Sequence, residues 1–244
     1  MKRVWLLVAC VAIAGCTKRQ EPANPFRDTV TQVSLVGDFK RGAYAGRIPT
    51  ADLLRYGKVG IGTLDSLDGE MMVLDGRVFR FAADGQASDV ALTETTPSAT
   101  VTFFEPDMMF DVGDMDDTVF RKTMDWKRPA GADIIAFRIT GRFDVVRTRS
   151  VPKQSLPFPP LDEVAKSTVQ TEWHDTSGTM IGFYFPDAWK EINWPGYHLH
   201  YIDDAREHGG HVLSFRLRQG RLEMDVCTAV QVLLGSSLTN GVMR

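Results

Sequence analysis

The chain has 244 residues, of which 43% are hydrophobic and 24% charged, with a formal net charge of -3. That length is enough to bury one large core or two smaller ones. The slightly acidic balance excludes electrostatic capture of nucleic acid, or of anionic lipid, as the basis of function.

Met1-Lys2-Arg3 is basic, and the apolar run from Val4 to Ala14 is too short to span a bilayer. Together they have the anatomy of an export signal. The end of the run, Ile13-Ala14-Gly15-Cys16, resembles a bacterial lipobox. That resemblance implies cleavage before Cys16 and a lipid on the cysteine, anchoring the protein to the cell envelope on its periplasmic face. Thr17, rather than an aspartate, follows the cysteine and favours the outer membrane. Residues 17–28, with Lys18, Arg19, Pro22 and Pro25, read as a tether. Cys10 leaves with the signal, so Cys227 has no partner for a disulfide and is expected to pack as a small apolar group.

Val30, Val33, Leu35 and Val36 suggest a first element, ended by Gly37. Residues 51–56 read as a short helical turn, with Thr50 as N-cap and Gly57 as C-cap. From Gly60 to Arg80, short extended runs are punctuated by Asp68-Gly69 and Asp75-Gly76, the pattern of a β-meander. Gly60-x-Gly62 lacks the third glycine and the helix of a dinucleotide fingerprint. Thr100 to Phe104 is a further strand. Asp107, Asp111, Asp114, Asp116 and Asp117 do not follow the EF-hand pattern and read as a solvated loop with helix-capping acids. A helix is expected over 118–126, and a strand pair over 134–146 turning at Thr140-Gly141. Residues 147–160, ending in Pro157-Phe158-Pro159-Pro160, are extended and form the best interdomain crossing. A short helix over 161–166 precedes a hairpin of 168–173 with 178–185, and a last strand covers 221–232.

Three of the five histidines fall in Gly196-Tyr197-His198-Leu199-His200-Tyr201-Ile202 and Gly209-Gly210-His211. A spacing of two puts His198 and His200 on one face of a strand. The polar segment between Asp203 and Gly210 reads as a hairpin loop, across which His211 can meet the first two. Three neutral imidazoles on adjacent strands suit zinc, and a fourth, open position would mark the site as catalytic. His208 reads as a solvated loop residue.

Several landmarks occur in a fixed order: Gly60-Ile61-Gly62-Thr63, Leu67-Asp68-Gly69-Glu70, Thr96-Pro97 with Val101-Thr102-Phe103-Phe104, Arg149-Ser150-Val151-Pro152, Gly182-Phe183-Tyr184, and the two histidine segments. That order resembles the bacterial α-acetolactate decarboxylase family from about Gly42 to Phe215. The resemblance implies an α/β (mixed α+β), β-rich two-domain protein that forms a homodimer. The domains would be residues 29–150, with a mixed sheet, and 151–244, β-rich and carrying the histidines. The implied activity is that of a carboxy-lyase making acetoin: zinc-dependent decarboxylation of (S)-2-acetolactate to (R)-acetoin and carbon dioxide. Zinc on His198, His200 and His211 would act as a Lewis acid on the ketone and stabilise the charge left by carbon dioxide loss. Glu70 matches the proton donor, Arg149 the active-site arginine that holds the substrate carboxylate or orients Glu70, and Thr63 a substrate-lining threonine.

Two departures stand out. Tyr44-Ala45-Gly46 replaces the family's Tyr-Asp-Gly, and no acidic residue follows Asp225, where the family places a second active-site glutamate. The second departure leaves two alternatives open: a metal-binding envelope relative acting on another 2-hydroxy-3-oxo acid, or a non-catalytic ligand-binding protein.

Overall fold

The computed structural model describes residues 24–130 and 134–234. The export-signal reading, Cys10 and Cys16 lie outside the described residues. Strands dominate, as the sequence implied, and they form two main sheets.

The first half of the chain lays down β1 (Thr29–Val33), α1 (Val36–Lys40), β2 (Ile48–Pro49), α2 (Thr50–Leu53), β3 (Val59–Thr63), β4 (Glu70–Leu74), β5 (Arg77–Phe81), β6 (Ala87–Asp89), β7 (Thr95–Thr96) and β8 (Ser98–Thr102). It continues with β9 (Met108–Asp116), α3 (Asp117–Lys127) and β10 (Ile134–Ser150). The rest comprises α4 (Leu161–Val164), β11 (Val169–Phe185), β12 (Gly196–Asp203), β13 (Gly209–Cys227) and β14 (Ala229–Leu233). Seven strands form one sheet in the order β14-β1-β8-β3-β4-β5-β6, with β14 parallel to β1. The expected meander is its β3-β4-β5 portion. In the second sheet, β10 pairs with β11, β11 with β12, β12 with β13, and β13 back to β10, which closes a small barrel, and β9 extends β13.

The chain therefore does not change sheets at residue 150. It leaves the seven-stranded sheet between β8 and β9 and returns to it after Cys227. Both crossings converge on Asp225, which is fully buried and accepts the Glu105 N–H at 3.1 Å through Oδ2.

Strand alternation sorts the barrel residues into two cores. Phe137, Ile139, Met180, Leu199, Tyr201 and Leu222 point into the barrel, whose end is covered by Phe120 and Met124 of α3. Ala136, Ile181, Phe183, Phe185 and Ile202 point the other way and pack on Val59, Ile61, Met72, Phe79 and Phe81 of the seven-stranded sheet. Cys227 is buried in this seam, as expected of a small apolar group.

Several local expectations are corrected. β10 and β11 are unbroken strands of 17 residues, where a strand pair and a hairpin were expected. Gly141 is no turn: it lies opposite Gly178 on one side and Gly220 on the other. A Cβ at Gly141 would come 2.3 Å from the Gln219 carbonyl, so glycine is required for the close approach. Register shifts follow directly at Arg142, Phe143 and Arg147, the device that lets long strands curl into a barrel. The aspartate-rich segment is strand β9, and of its acids Asp116 caps α3 by accepting the Val119 N–H at 2.8 Å. Gly37 lies inside α1, and Thr50 is the first residue of α2, its hydroxyl spent on the Ala91 carbonyl at 3.1 Å.

Asp225 gives a stability test. Burial pushes its carboxyl up to about 7 from the ordinary 3.8. The folded state therefore keeps a proton that the unfolded chain sheds above pH 4, and stability falls as pH rises from about 4 to about 7. The Tm of the unsubstituted protein, relative to that of Asp225→Asn, should drop by several degrees across that window. A constant difference in thermal melts between pH 4 and pH 8 would contradict the assignment.

Candidate metal centre

β12 alternates Leu199 and Tyr201 into the barrel with His198, His200 and Ile202 toward the seven-stranded sheet. His200 and His211 are register partners across the hairpin. The turn between them is drawn tight by Asp203, which accepts the N–H groups of Glu207 and His208 and pairs with the His208 ring at 2.9 Å. His208 stacks on Trp173 and takes no part in the cluster. Glu207 and Asp204 are exposed in this turn.

One ring nitrogen each from His198, His200 and His211 lies within 4.8 Å of the others, and His198 Nε2 stands 3.0 Å from His211 Nδ1. His200 Nδ1 is 2.9 Å from the carbonyl of Met71 on β4 and must carry the hydrogen to donate to it. That fixes the tautomer, leaving the Nε2 lone pair of His200 aimed at the other two rings. Among the described residues His200 Nε2 is buried with no hydrogen-bond partner, a lone pair suited to a cation. Burial, with a smaller contribution from Arg149, lowers His198 to about 4, and His200 and His211 fall well below the ordinary imidazole range for the same leading reason. All three are neutral at pH 7, the state that ligates. The donor set fits a divalent metal.

The cluster forms one end of a cleft of about 410 Å³. Glu70, the first residue of β4, reaches into it and approaches His200 Nε2 at 3.5 Å. Burial raises its carboxyl to about 7, against the opposing pull of Arg149. Arg149 is register partner to His211 and lines the same cleft, with its Nε buried and unpaired. Arg147, two residues earlier, is tied to Glu172 instead. Thr63 also lines the cleft, but its hydroxyl donates to the Gly69 carbonyl at 2.6 Å. The six residues singled out from sequence are therefore in one place.

The opposite wall was not foreseen. Phe39, Leu161, Val164, Trp194 and Tyr197 supply apolar cover, and Asp162 stands among them. Tyr197 is held by donating its hydroxyl to Asp125 of α3 at 2.6 Å. The Trp194 backbone is held by Asn193, whose Oδ1 accepts the Trp194 main-chain N–H while Nδ2 donates to Gln32 and Thr100 of the seven-stranded sheet. The aromatic run before His198 was the available signal for this wall.

Comparison with known proteins decides the family. Residues 30–239 match the model of the alpha-acetolactate decarboxylase family. The chain belongs to this family. It is 40% identical over 198 residues to the alpha-acetolactate decarboxylase of Methylococcus capsulatus, covering 81% of this chain and 76% of that one. It is 36% identical over 221 residues to that of Methanosarcina mazei, covering 88% and 75%. The crystal structure of the Bacillus subtilis strain 168 enzyme superposes with a TM-score of 0.83 at 32% identity, over 86% of this chain and 90% of that one.

Each of His198→Ala, His200→Ala and His211→Ala should lower bound metal, measured by elemental analysis of the purified protein, to a small fraction of one ion per chain. His208→Ala should leave it unchanged, because His208 is paired with Asp203 outside the cluster. Loss of metal in His208→Ala alone would place the centre elsewhere.

Proposed function

We propose that this chain decarboxylates 2-acetolactate to acetoin with zinc held by His198, His200 and His211, in an exported form anchored through a lipid on Cys16. One observation carries the chemistry: a neutral three-histidine cluster shares a cleft with the Glu70 carboxyl, largely withdrawn from solvent, and the Arg149 guanidinium, whose Nε is buried. Zinc is favoured because three imidazoles with an open fourth position are its usual catalytic setting, where it supplies Lewis acidity.

The reaction turns the substrate anion and one proton into acetoin and carbon dioxide. The bond from the carboxylate carbon to its neighbour breaks, the electron pair stays on the remaining carbon, and a proton then joins that carbon. Arg149 offers a planar pair of donors to the carboxylate and fixes its orientation. The Phe39, Trp194 and Tyr197 rings keep bulk water from the reacting carbon. Glu70, raised to about 7, holds a proton in part at neutral pH and sits at the histidine end of the cleft to deliver it. The exported, lipid-anchored placement rests on the basic start, the short apolar run and Ile13-Ala14-Gly15-Cys16. Acetolactate is made inside cells, so an envelope enzyme draws on substrate that has left the cytoplasm.

The test is to give the purified chain lacking residues 1–16 racemic 2-acetolactate, with and without a chelator. Acetoin should form, cease on chelation and return with zinc; its absence from a zinc-loaded sample would refute the reading. Glu70→Gln should keep bound metal and lose about 100-fold or more in kcat, the scale of a lost general acid. An unimpaired kcat would remove Glu70 from the proton-donor role. Palmitate labelling of the full chain should disappear in Cys16→Ser; persistent labelling would refute the anchor.

A further inference from the structure

The peptide unit that carries Glu70 is held at both ends by side-chain hydroxyls, one from each sheet. Thr63 Oγ1 on β3 donates to the Gly69 carbonyl at 2.6 Å. The Glu70 N–H, on the other side of the same peptide plane, donates to Ser150 Oγ at 3.3 Å. Ser150, the last residue of β10, passes its own proton to the Phe81 carbonyl at 2.7 Å. Glu70 and Phe81 are register partners where the β4–β5 ladder ends. The serine hydroxyl is thus inserted between an N–H and a carbonyl of two facing strands. Gly69 has φ +80°, and a Cβ there would lie 2.1 Å from the Phe81 carbonyl oxygen, so glycine alone permits this approach. Both hydroxyl-bearing residues are buried, at 5% exposure for Thr63 and 1% for Ser150.

We propose that Thr63 and Ser150 are positioning residues that clamp the Gly69–Glu70 peptide and so aim the Glu70 carboxyl into the cleft. A peptide group is a rigid plane. Fixing its carbonyl and its N–H from two directions removes rotation of that plane and fixes the Glu70 N–Cα bond; with the rest of Glu70 held in the β4 ladder, the direction of its Cα–Cβ bond follows. The clamp also ties this direction to Arg149, because Ser150 is its neighbour on β10. Thr63 lines the cleft, yet its only hydroxyl proton is committed to Gly69. Its contribution therefore runs through Glu70 and not through a hydrogen bond donated to substrate. The inference rests on the proton-donor role given to Glu70 above.

Paired substitutions separate positioning from packing. Thr63→Val keeps the shape and removes the donor, whereas Thr63→Ser keeps the donor. Ser150→Ala removes the bridging hydroxyl, whereas Ser150→Thr retains it. Thr63→Val and Ser150→Ala should each lower kcat by roughly 10- to 100-fold, the cost of a small misplacement of a reacting group. KM and bound metal should stay at the level of the unsubstituted protein, and Thr63→Ser should restore the rate. Both residues hold one peptide, so the double variant should lose much less than the product of the two single losses. Amide hydrogen exchange at Glu70 should accelerate in Ser150→Ala whether or not acetoin is formed. Unchanged exchange at Glu70 in Ser150→Ala overturns the clamp. So does a rise in KM with kcat intact in Thr63→Val, an equal loss in Thr63→Ser, or full multiplicativity in the double variant. Failure of the unsubstituted protein to make acetoin would instead overturn the decarboxylase reading, and the exchange measurement would still decide the clamp.

Discussion

The hydrogen bond from His200 Nδ1 to the Met71 carbonyl is the interaction on which the site depends. It crosses the seam between the barrel and the seven-stranded sheet, at a point where the surrounding contacts are apolar. An imidazole buried in such a seam without a partner would cost several kcal/mol. The carbonyl satisfies one nitrogen and thereby dictates what the other does: it faces His198 and His211 with a free lone pair. The same bond anchors β4 one residue after Glu70. A single contact thus sets the tautomer of the central ligand and brings the carboxyl into range of it.

The electrostatics of the cleft follow from that burial. Three histidines are held neutral and one carboxyl is raised toward neutrality, each chiefly because charge is poorly solvated there. The cluster therefore carries little charge of its own and presents lone pairs rather than cations, with Arg149 beside it as the permanent positive charge. A divalent cation answers the lone pairs, and an anionic substrate answers Arg149. A surface cluster of the same residues would be screened and would discriminate weakly between these partners.

Much of the site was legible in sequence because its signals are short-range. The spacing of His198 and His200 becomes a shared face on any strand, and the Asp203–Gly210 turn needs only the hairpin to bring up His211. Glu70, Arg149 and Thr63 came from family resemblance, since nothing local distinguishes a glutamate after Asp-Gly from a surface residue. The long strands were misread for a physical reason. Residues 134–139 of β10 and 178–185 of β11 are buried on both faces while the rest of each strand is largely exposed on one or both, so neither strand carries one continuous polar–apolar alternation, and glycine was taken for a turn. The row Gly178–Gly141–Gly220 exists only once three strands are side by side. The sheet exchange near residues 102–108 and 227–229 was hidden likewise, because β14 returns to β1 across nearly the whole length of the chain.

The interleaving of the two sheets has a chemical consequence. Glu70 comes from the seven-stranded sheet, and the histidines and Arg149 come from the barrel, so the reacting groups meet only because both sheets are docked. Of the acids that line the cleft, Asp162 is exposed on α4 and Glu70 alone is withdrawn from solvent. Asp225 is buried at the sheet crossing against Glu105 and does not line the cleft. On the proposed reaction, Glu70 is then the sheltered proton source among the described residues, fixed to one wall of the cleft. A donor fixed to one wall serves one face of the planar carbon left after carbon dioxide departs. Whatever holds the Glu70 backbone therefore governs the stereochemistry as well as the rate, and that backbone is held where the two sheets touch.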